Sequence, residues 1–343
     1  MSVPTSTRID DTTTAAAPVL EVSDLRTYLY TKWGVTKAVD GVSLHLEAGE
    51  TLGIVGESGS GKSMLALSLV RLTPEPAGRI VGGRVILNGR DLLPLSERQM
   101  RHVRGKEISM ILQDPQQSLN PVFSVGNQIE EAIRVHDHEI GNTEVYDRAI
   151  AALKSVRVPA PERRLRSFPH QLSGGMKQRI VGAIAMAYHP QVLIADEPTT
   201  ALDVTIQAQY LRLLKELQRR TGVGIILITH DFGVIAEACD RVAVMYAGRI
   251  IEQGPVEEIF DWPKHPYTRA LLDSRPRTDL RATRLRSIEG NPPSLLDLPT
   301  GCRFAPRCEY VIDRCGEYPP MIPVNDHHLA ACWRSKEAPW ESR

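Results

Sequence analysis

The 343-residue sequence contains no run approaching the roughly 20 apolar residues that a membrane-crossing helix needs. Its opening stretch, residues 1–18, is rich in Thr, Ser, Ala and Asp and lacks the apolar core of a secretory signal. It reads as a disordered lead-in to a cytoplasmic chain, so any membrane-spanning helices would have to come from other chains. An excess of one charge sign is missing too, since 41 Lys and Arg face 41 Asp and Glu. That balance argues against a dedicated nucleic-acid binder, and the densest basic cluster, Arg163, Arg164 and Arg166, is short. Internal repeats and sustained heptads are also absent. Of five cysteines, Cys239 stands alone and reads as a core residue, whereas Cys302, Cys308, Cys315 and Cys332 crowd one C-terminal stretch. Clustered thiols in a cytosolic chain favour a metal or cluster over disulfides.

What is present suits a globular chain, with 42% apolar and 24% charged residues. Short apolar or alternating runs predict strands over 19–22, 41–47, 51–55, 85–87, 108–112, 191–195, 223–229 and 241–246. Helical periodicity covers 63–72, 143–156, 176–188 and 205–220. Strands alternating with helices give an α/β core with a largely parallel sheet. The region 114–189 reads as a mainly helical insertion. Beyond Ser274 the chain turns Pro- and Cys-rich with little periodicity and reads as a separate appendage.

The run Gly56-Glu57-Ser58-Gly59-Ser60-Gly61-Lys62-Ser63 has the spacing of a phosphate loop between a strand and a helix. Glycines let the backbone wrap closely, so that its N–H groups point at phosphate oxygens. The helix that follows presents its positive end to the same anion. Lys62 can reach the β- and γ-phosphates of a nucleotide, and the Ser63 hydroxyl can ligate magnesium. The predicted strand 191–195 runs into Asp196 and Glu197, a pair suited to holding magnesium and to orienting an attacking water. His230 follows the predicted strand 223–229, where a parallel sheet would bring it beside the nucleotide to contact the γ-phosphate or hold Glu197. Ser173-Gly174-Gly175 is a second anion-binding helix start, and two such half-sites cannot both contact one ATP. A head-to-tail dimer answers this, each chain closing on the other's phosphate loop.

Together these motifs resemble the nucleotide-binding subunit of an ABC transporter over about residues 19–274. The resemblance implies a P-loop NTPase core with an antiparallel β subdomain and a helical insertion at about 114–189, and an active ATPase of the translocase class. It implies that Gly56 to Ser63 is the Walker A loop and that Gln113 is the Q-loop glutamine, near the ATP and its magnesium. Leu172 to Met176 matches the signature, with Met176 where the family most often has glutamine. Asp196 matches the Walker B acid, Glu197 the catalytic glutamate, Ala201-Leu202-Asp203 the D-loop, and His230 the switch histidine. An aromatic residue should stack on adenine. The register from Leu25 falls on Leu29, flanked by Tyr28 and Tyr30, with Trp33 further on, and Tyr30 is the candidate adopted.

The run Gln113 to Pro121 resembles the oligopeptide and dipeptide importer branch, as do His265-Pro266-Tyr267-Thr268 and Gly301-Cys302-Arg303-Phe304-Ala305-Pro306-Arg307-Cys308. The four cysteines are separated by five, six and sixteen residues. By chemistry alone they suit structural zinc or an iron–sulfur cluster. The resemblance implies a [4Fe-4S] cluster in a small loop-rich domain over 275–343. It also implies a peripheral subunit on the cytoplasmic face of the cell membrane, powering import of peptides. The same motor could serve oligosaccharide, nickel or glutathione uptake. Implied partners are a homologous ATPase subunit, two transmembrane permease subunits and an extracytoplasmic substrate-binding protein, with no nucleic acid. A soluble ABC ATPase of translation or DNA repair is the rival reading. One ATPase core, no heptad run and no basic excess count against it.

Overall fold

A computed structural model describes residues 17–200, 202–274 and 288–337. Most of the lead-in, Ala201 of the expected D-loop and part of the Pro-rich stretch after Ser274 lie outside them. The first sheet is antiparallel and built from β1 (Leu20–Thr31), β2 (Gly34–Leu46), β4 (Gly78–Leu87) and β5 (Arg90–Asp91). The second is larger. It contains β3 (Thr51–Val55), β6 (Ile108–Ile111), β7 (Val192–Asp196), β8 (Gly224–Thr229), β9 (Arg241–Tyr246), β10 (Arg249–Pro255), β11 (Ile322–Pro323) and β12 (Leu329–Ala330).

Helices α1 (Lys62–Leu69) and α2 (Glu97–Val103) precede the helical region. That region comprises α3 (Pro115–Ser118), α4 (Val125–Arg134), α5 (Asn142–Ser155), α6 (Pro161–Leu165) and α7 (Gly174–Ala185). Then follow α8 (Val204–Thr221), α9 (Phe232–Ala238), α10 (Val256–Asp261) and α11 (Pro266–Asp273). A largely parallel sheet, an antiparallel subdomain and a helical insertion are thus all present.

The parallel strands read as unbroken apolar runs because both their faces are covered. Every residue of β3, β7 and β8 is buried. Their order, β9-β3-β8-β7-β6, puts β8 between the strand that feeds the phosphate loop and the strand that ends in Asp196. Val55 is level with Thr229, and Ile228 with Asp196, so the functional candidates emerge at one edge.

The antiparallel strands are longer than the sequence predicts. The expected strand at 19–22 grows to twelve residues, and the one at 85–87 begins at Gly78. Bulges cause the discrepancy: register shifts interrupt the β1–β2 and β1–β4 pairings around Val22 to Arg26. Each slip flips the following side chains to the other face, so no single alternation runs through. Gly83 (φ +95) sits inside such a bulge, where a Cβ would lie 2.5 Å from the Cα of Leu25.

The described part of the C-terminal segment does not stand apart from the core. Strand β12 pairs with β10 and β11 with β12, so the tail extends the edge of the large sheet. Buried Glu252 of β10 ties it down, accepting from the N–H groups of Lys264 and His265 and pairing with His328 Nε2 at 2.8 Å. His265 caps α11, its Nδ1 accepting from the N–H of Tyr267 at 3.0 Å.

His265 is buried, and burial pushes its imidazole down to about 3. Below its ordinary value the unfolded chain therefore takes up a proton that the folded chain refuses. Stability should fall as pH drops from about 6.5 towards 3. Replacing His265 with Asn, which can still cap, should flatten this acid limb by about 1.4 kcal/mol per pH unit near pH 5. Urea unfolding of both proteins at pH 5 and 7 measures it; parallel slopes would refute the assignment.

Candidate active site

The loop between β3 and α1 is held by backbone crowding. A Cβ on Gly56 would meet the carbonyl oxygen of Met245 at 2.1 Å, and one on Gly61 (φ +106) that of Ala38 at 2.1 Å. Inside the loop the buried ammonium of Lys62 donates to the carbonyls of Gly56 (2.8 Å) and Glu57 (2.9 Å). Burial lowers its proton affinity, while Glu197, Asp196 and Glu57 work to keep it charged. Ser60 is buried beside it. The loop closes onto the sheet through a bond from the N–H of Gly248 to the Ser60 carbonyl at 2.8 Å. Ser58 and Gly59 form the open part of the loop, with nothing within 4 Å of a Cβ at Gly59.

Ser63, Gln113 and Asp196 line one cavity with Met110, Asp114 and Thr200. Asp196 is buried with one carboxylate oxygen lacking a hydrogen-bond partner. Burial raises its proton affinity and the Glu197 charge adds to this; the Ser63 hydroxyl and Lys62 oppose it. An orphaned carboxylate oxygen beside a serine hydroxyl suits magnesium, which takes one or two carboxylates plus phosphate oxygens.

Glu197 lies just beyond β7 in a left-handed conformation (φ +46), an uncommon backbone state for a non-glycine residue and one often found at functional sites. One carboxylate oxygen accepts from Gln113 Nε2 (3.0 Å) and Thr200 Oγ1 (2.9 Å); the other lies 3.2 Å from His230 Nδ1. Burial works against its charge, but the bonds from His230 and Thr200 and the charge of Lys62 prevail, holding the carboxyl below its ordinary value. Sequence analysis brought Glu197, Gln113 and His230 to this site but missed Thr200, which no periodicity or spacing singles out.

Ser173 caps α7, its hydroxyl accepting from the N–H of Met176 at 3.3 Å. Asp203 does the same for α8, accepting from Ile206 at 3.0 Å. Ser173 and Gly174 are exposed. Gly175 packs closely, since a Cβ there would lie 2.8 Å from Ile206. None of the three lines the cavity of Ser63 and Asp196. Tyr30 sits on β1, with the Arg79 guanidinium 5.3 Å above its ring. Tyr28 donates to Asp40 at 2.7 Å, and Trp33 is 76% exposed with Lys32 over its ring.

Cys302, Cys308, Cys315 and Cys332 all line a second, small cavity with Phe304, His265 and Trp333. Burial pushes the Cys308 thiol up to about 11 and Cys332 up to about 12. Among the described residues no three Cys, His, Asp or Glu side chains are gathered tightly enough to hold a metal ion. The expected cluster therefore has a shared cavity in its favour but no assembled ligand set. Burial also raises the proton affinity of the isolated Cys239. No helix among the described residues is long and apolar enough to cross a membrane.

Two family profiles match the chain: ABC transporter over residues 39–200, and the oligopeptide/dipeptide transporter C-terminal region over 251–315. A probable peptide ABC transporter ATP-binding protein of Sinorhizobium fredii is 53% identical over 93% of this chain and 96% of its own length. The oligopeptide transport ATP-binding protein OppD of Bacillus subtilis is 50% identical over 92% of this chain and 88% of its own. Among solved structures, a dimeric ATP-binding cassette in a post-hydrolysis state with ADP and Pi superposes with a TM-score of 0.61. It is 27% identical, covering 69% of this chain and 98% of that one.

The crowding at Gly56 gives a direct test. Gly56→Ala should destabilise the fold by about 1–3 kcal/mol through overpacking against Met245. Gly59→Ala, in open space but at φ +78, should cost about 1–2 kcal/mol of backbone strain alone. Urea unfolding ranks them, and the reverse order would refute the steric account.

Proposed function

We propose that this chain, which belongs to the ATP-binding subunits of ABC transporters and to their oligopeptide/dipeptide branch, hydrolyses ATP to power uptake of peptides. The observation that carries the catalytic reading is Glu197, a partly buried carboxylate held by Gln113, Thr200 and His230 at the end of β7. The loop from Gly56 to Ser63 binds the phosphates through its N–H groups, with Lys62 on the β- and γ-phosphates. Ser63, Asp196 and Gln113 are the residues that would hold magnesium, which supplies charge neutralisation at the transferring phosphoryl group. Glu197 orients the attacking water, and His230 holds Glu197 in place. Tyr30 is the candidate for stacking on adenine. Gln113 contacts Glu197 and begins the segment leading into α3 and α4, so it links the helical region to the chemistry.

The exposed Ser173 and Gly174, with Gly175 next to them, would meet the phosphate loop of a second ATPase subunit, and Asp203 would belong to the same interface. Such a pair, here read as a heterodimer, would sit on the cytoplasmic face of the membrane against two permease subunits. An extracytoplasmic binding protein would deliver the cargo.

The four thiols that share one cavity support a [4Fe-4S] cluster held by Cys302, Cys308, Cys315 and Cys332. Zinc on the same four thiols is the alternative, and among the described residues no group is gathered tightly enough to hold a metal ion in either case.

Two measurements test these assignments. Glu197→Gln should lower steady-state ATP hydrolysis by about 100-fold or more, in line with a lost acid–base group, while ATP still binds. Wild-type turnover in that variant would remove Glu197 from the role. Anaerobically purified protein should carry iron and acid-labile sulfide, which are lost when Cys308 becomes Ser. A colourless, zinc-bearing protein would overturn the cluster.

A further inference from the structure

Glu57 of the phosphate loop is gripped from both ends by residues of the C-terminal half. Its N–H donates to the Tyr267 hydroxyl at 2.9 Å. Its carboxylate receives both arms of Arg307, at 2.8 and 3.1 Å. This is the fork geometry in which arginine is strongest and lysine a poor substitute. Arg307 is almost wholly buried, with 4% of its side chain exposed. It also donates to the Tyr246 hydroxyl at 3.3 Å and to the Glu289 carbonyl at 3.0 Å. The rings of Tyr246, Tyr267 and Phe304 pack within 5.4 Å of one another beneath the pair.

The position of Arg307 is set by the cysteine segment. It ends a 3-10 turn, Ala305–Arg307, lying between Cys302 and Cys308. The turn is pinned by bonds from Ala305 to the Cys302 carbonyl (3.0 Å) and from Cys308 to the Ala305 carbonyl (3.2 Å). Arg303, on the other side, reaches the Ala247 carbonyl and Asp40, whose own N–H bonds the Gly248 carbonyl beside the loop. Arg303 before the turn and Arg307 at its end therefore both bear on the surroundings of the phosphate loop.

The Glu57 carbonyl is one of two that hold Lys62. Fixing Glu57 fixes that carbonyl, and with it the ammonium that meets the nucleotide. We propose that Arg307 is a positioning residue for the phosphate loop, which makes the cysteine-lined segment a strut of the nucleotide site. The proposal rests on reading Gly56 to Ser63 as the ATP site. A loop held in its binding conformation loses less freedom when ligand arrives, so the strut contributes to affinity.

Calorimetric titration of the full chain with ATP and magnesium tests this, alongside steady-state hydrolysis. Arg307→Ala should weaken ATP binding about tenfold, equivalent to about 1.4 kcal/mol. The loss should fall on KM more than on kcat, a split that a general loss of folded protein does not produce. Arg307→Lys should recover part of it. Glu57→Gln, at the more exposed partner, should reproduce the loss without opening the buried cluster. The double variant should be no worse than either single one, because both remove the same contact. Wild-type affinity in folded Glu57→Gln, or fully additive losses in the double variant, would overturn the strut. Absence of ATP binding by the wild-type chain would overturn the ATP-site reading beneath it.

Discussion

Lys62 is a cation buried at the junction of β3 and α1, and the arrangement around it answers the problem of keeping that charge out of water. An unpaired buried ammonium is costly, so it must find acceptors and opposite charge nearby. Two loop carbonyls supply the first, and Glu57, Asp196 and Glu197 supply the second. The carbonyls reach it because Gly56 and Gly61 let the loop press against the backbone at Met245 and Ala38. The carboxylates reach it because β8 spaces β7 correctly from β3. Loop, strand order and acids are thus parts of one electrostatic solution.

The two acids divide by environment. Burial and the neighbouring charge load Asp196 towards protonation and leave an oxygen without a partner, so a cation relieves it. Glu197 is held ionised by donors from three different parts of the chain, and its unusual backbone conformation turns it back into the site. Adjacent residues on one strand end therefore suit two tasks, ion holding and water orientation.

The C-terminal segment enters the same electrostatic system rather than remaining a separate body. Its strands extend the sheet, His328 meets Glu252 in the interior, and Arg303 and Arg307 meet Asp40 and Glu57. The four thiols of the same segment share one cavity.

The sequence by itself determined the parallel core and singled out the Gly56–Ser63 loop, Asp196, Glu197 and His230 as candidates, with Gln113 added through the family resemblance. Doubly buried strands must be continuous apolar runs, and a loop that wraps phosphate must place glycine and lysine at fixed spacing. The length of β1 and β4 was not legible, because bulges break the alternation that marks a strand. The third donor to Glu197, Thr200, was not legible either: it follows Glu197 by only three residues, but no periodicity or spacing marks its hydroxyl as turned back onto the carboxylate. Only the tertiary structure decided the contact between Glu57 and Arg307, 250 residues apart. Local propensity carries no information across that distance. Strand pairing and the aromatic cluster beneath the loop bring the two together, and both depend on the completed sheet.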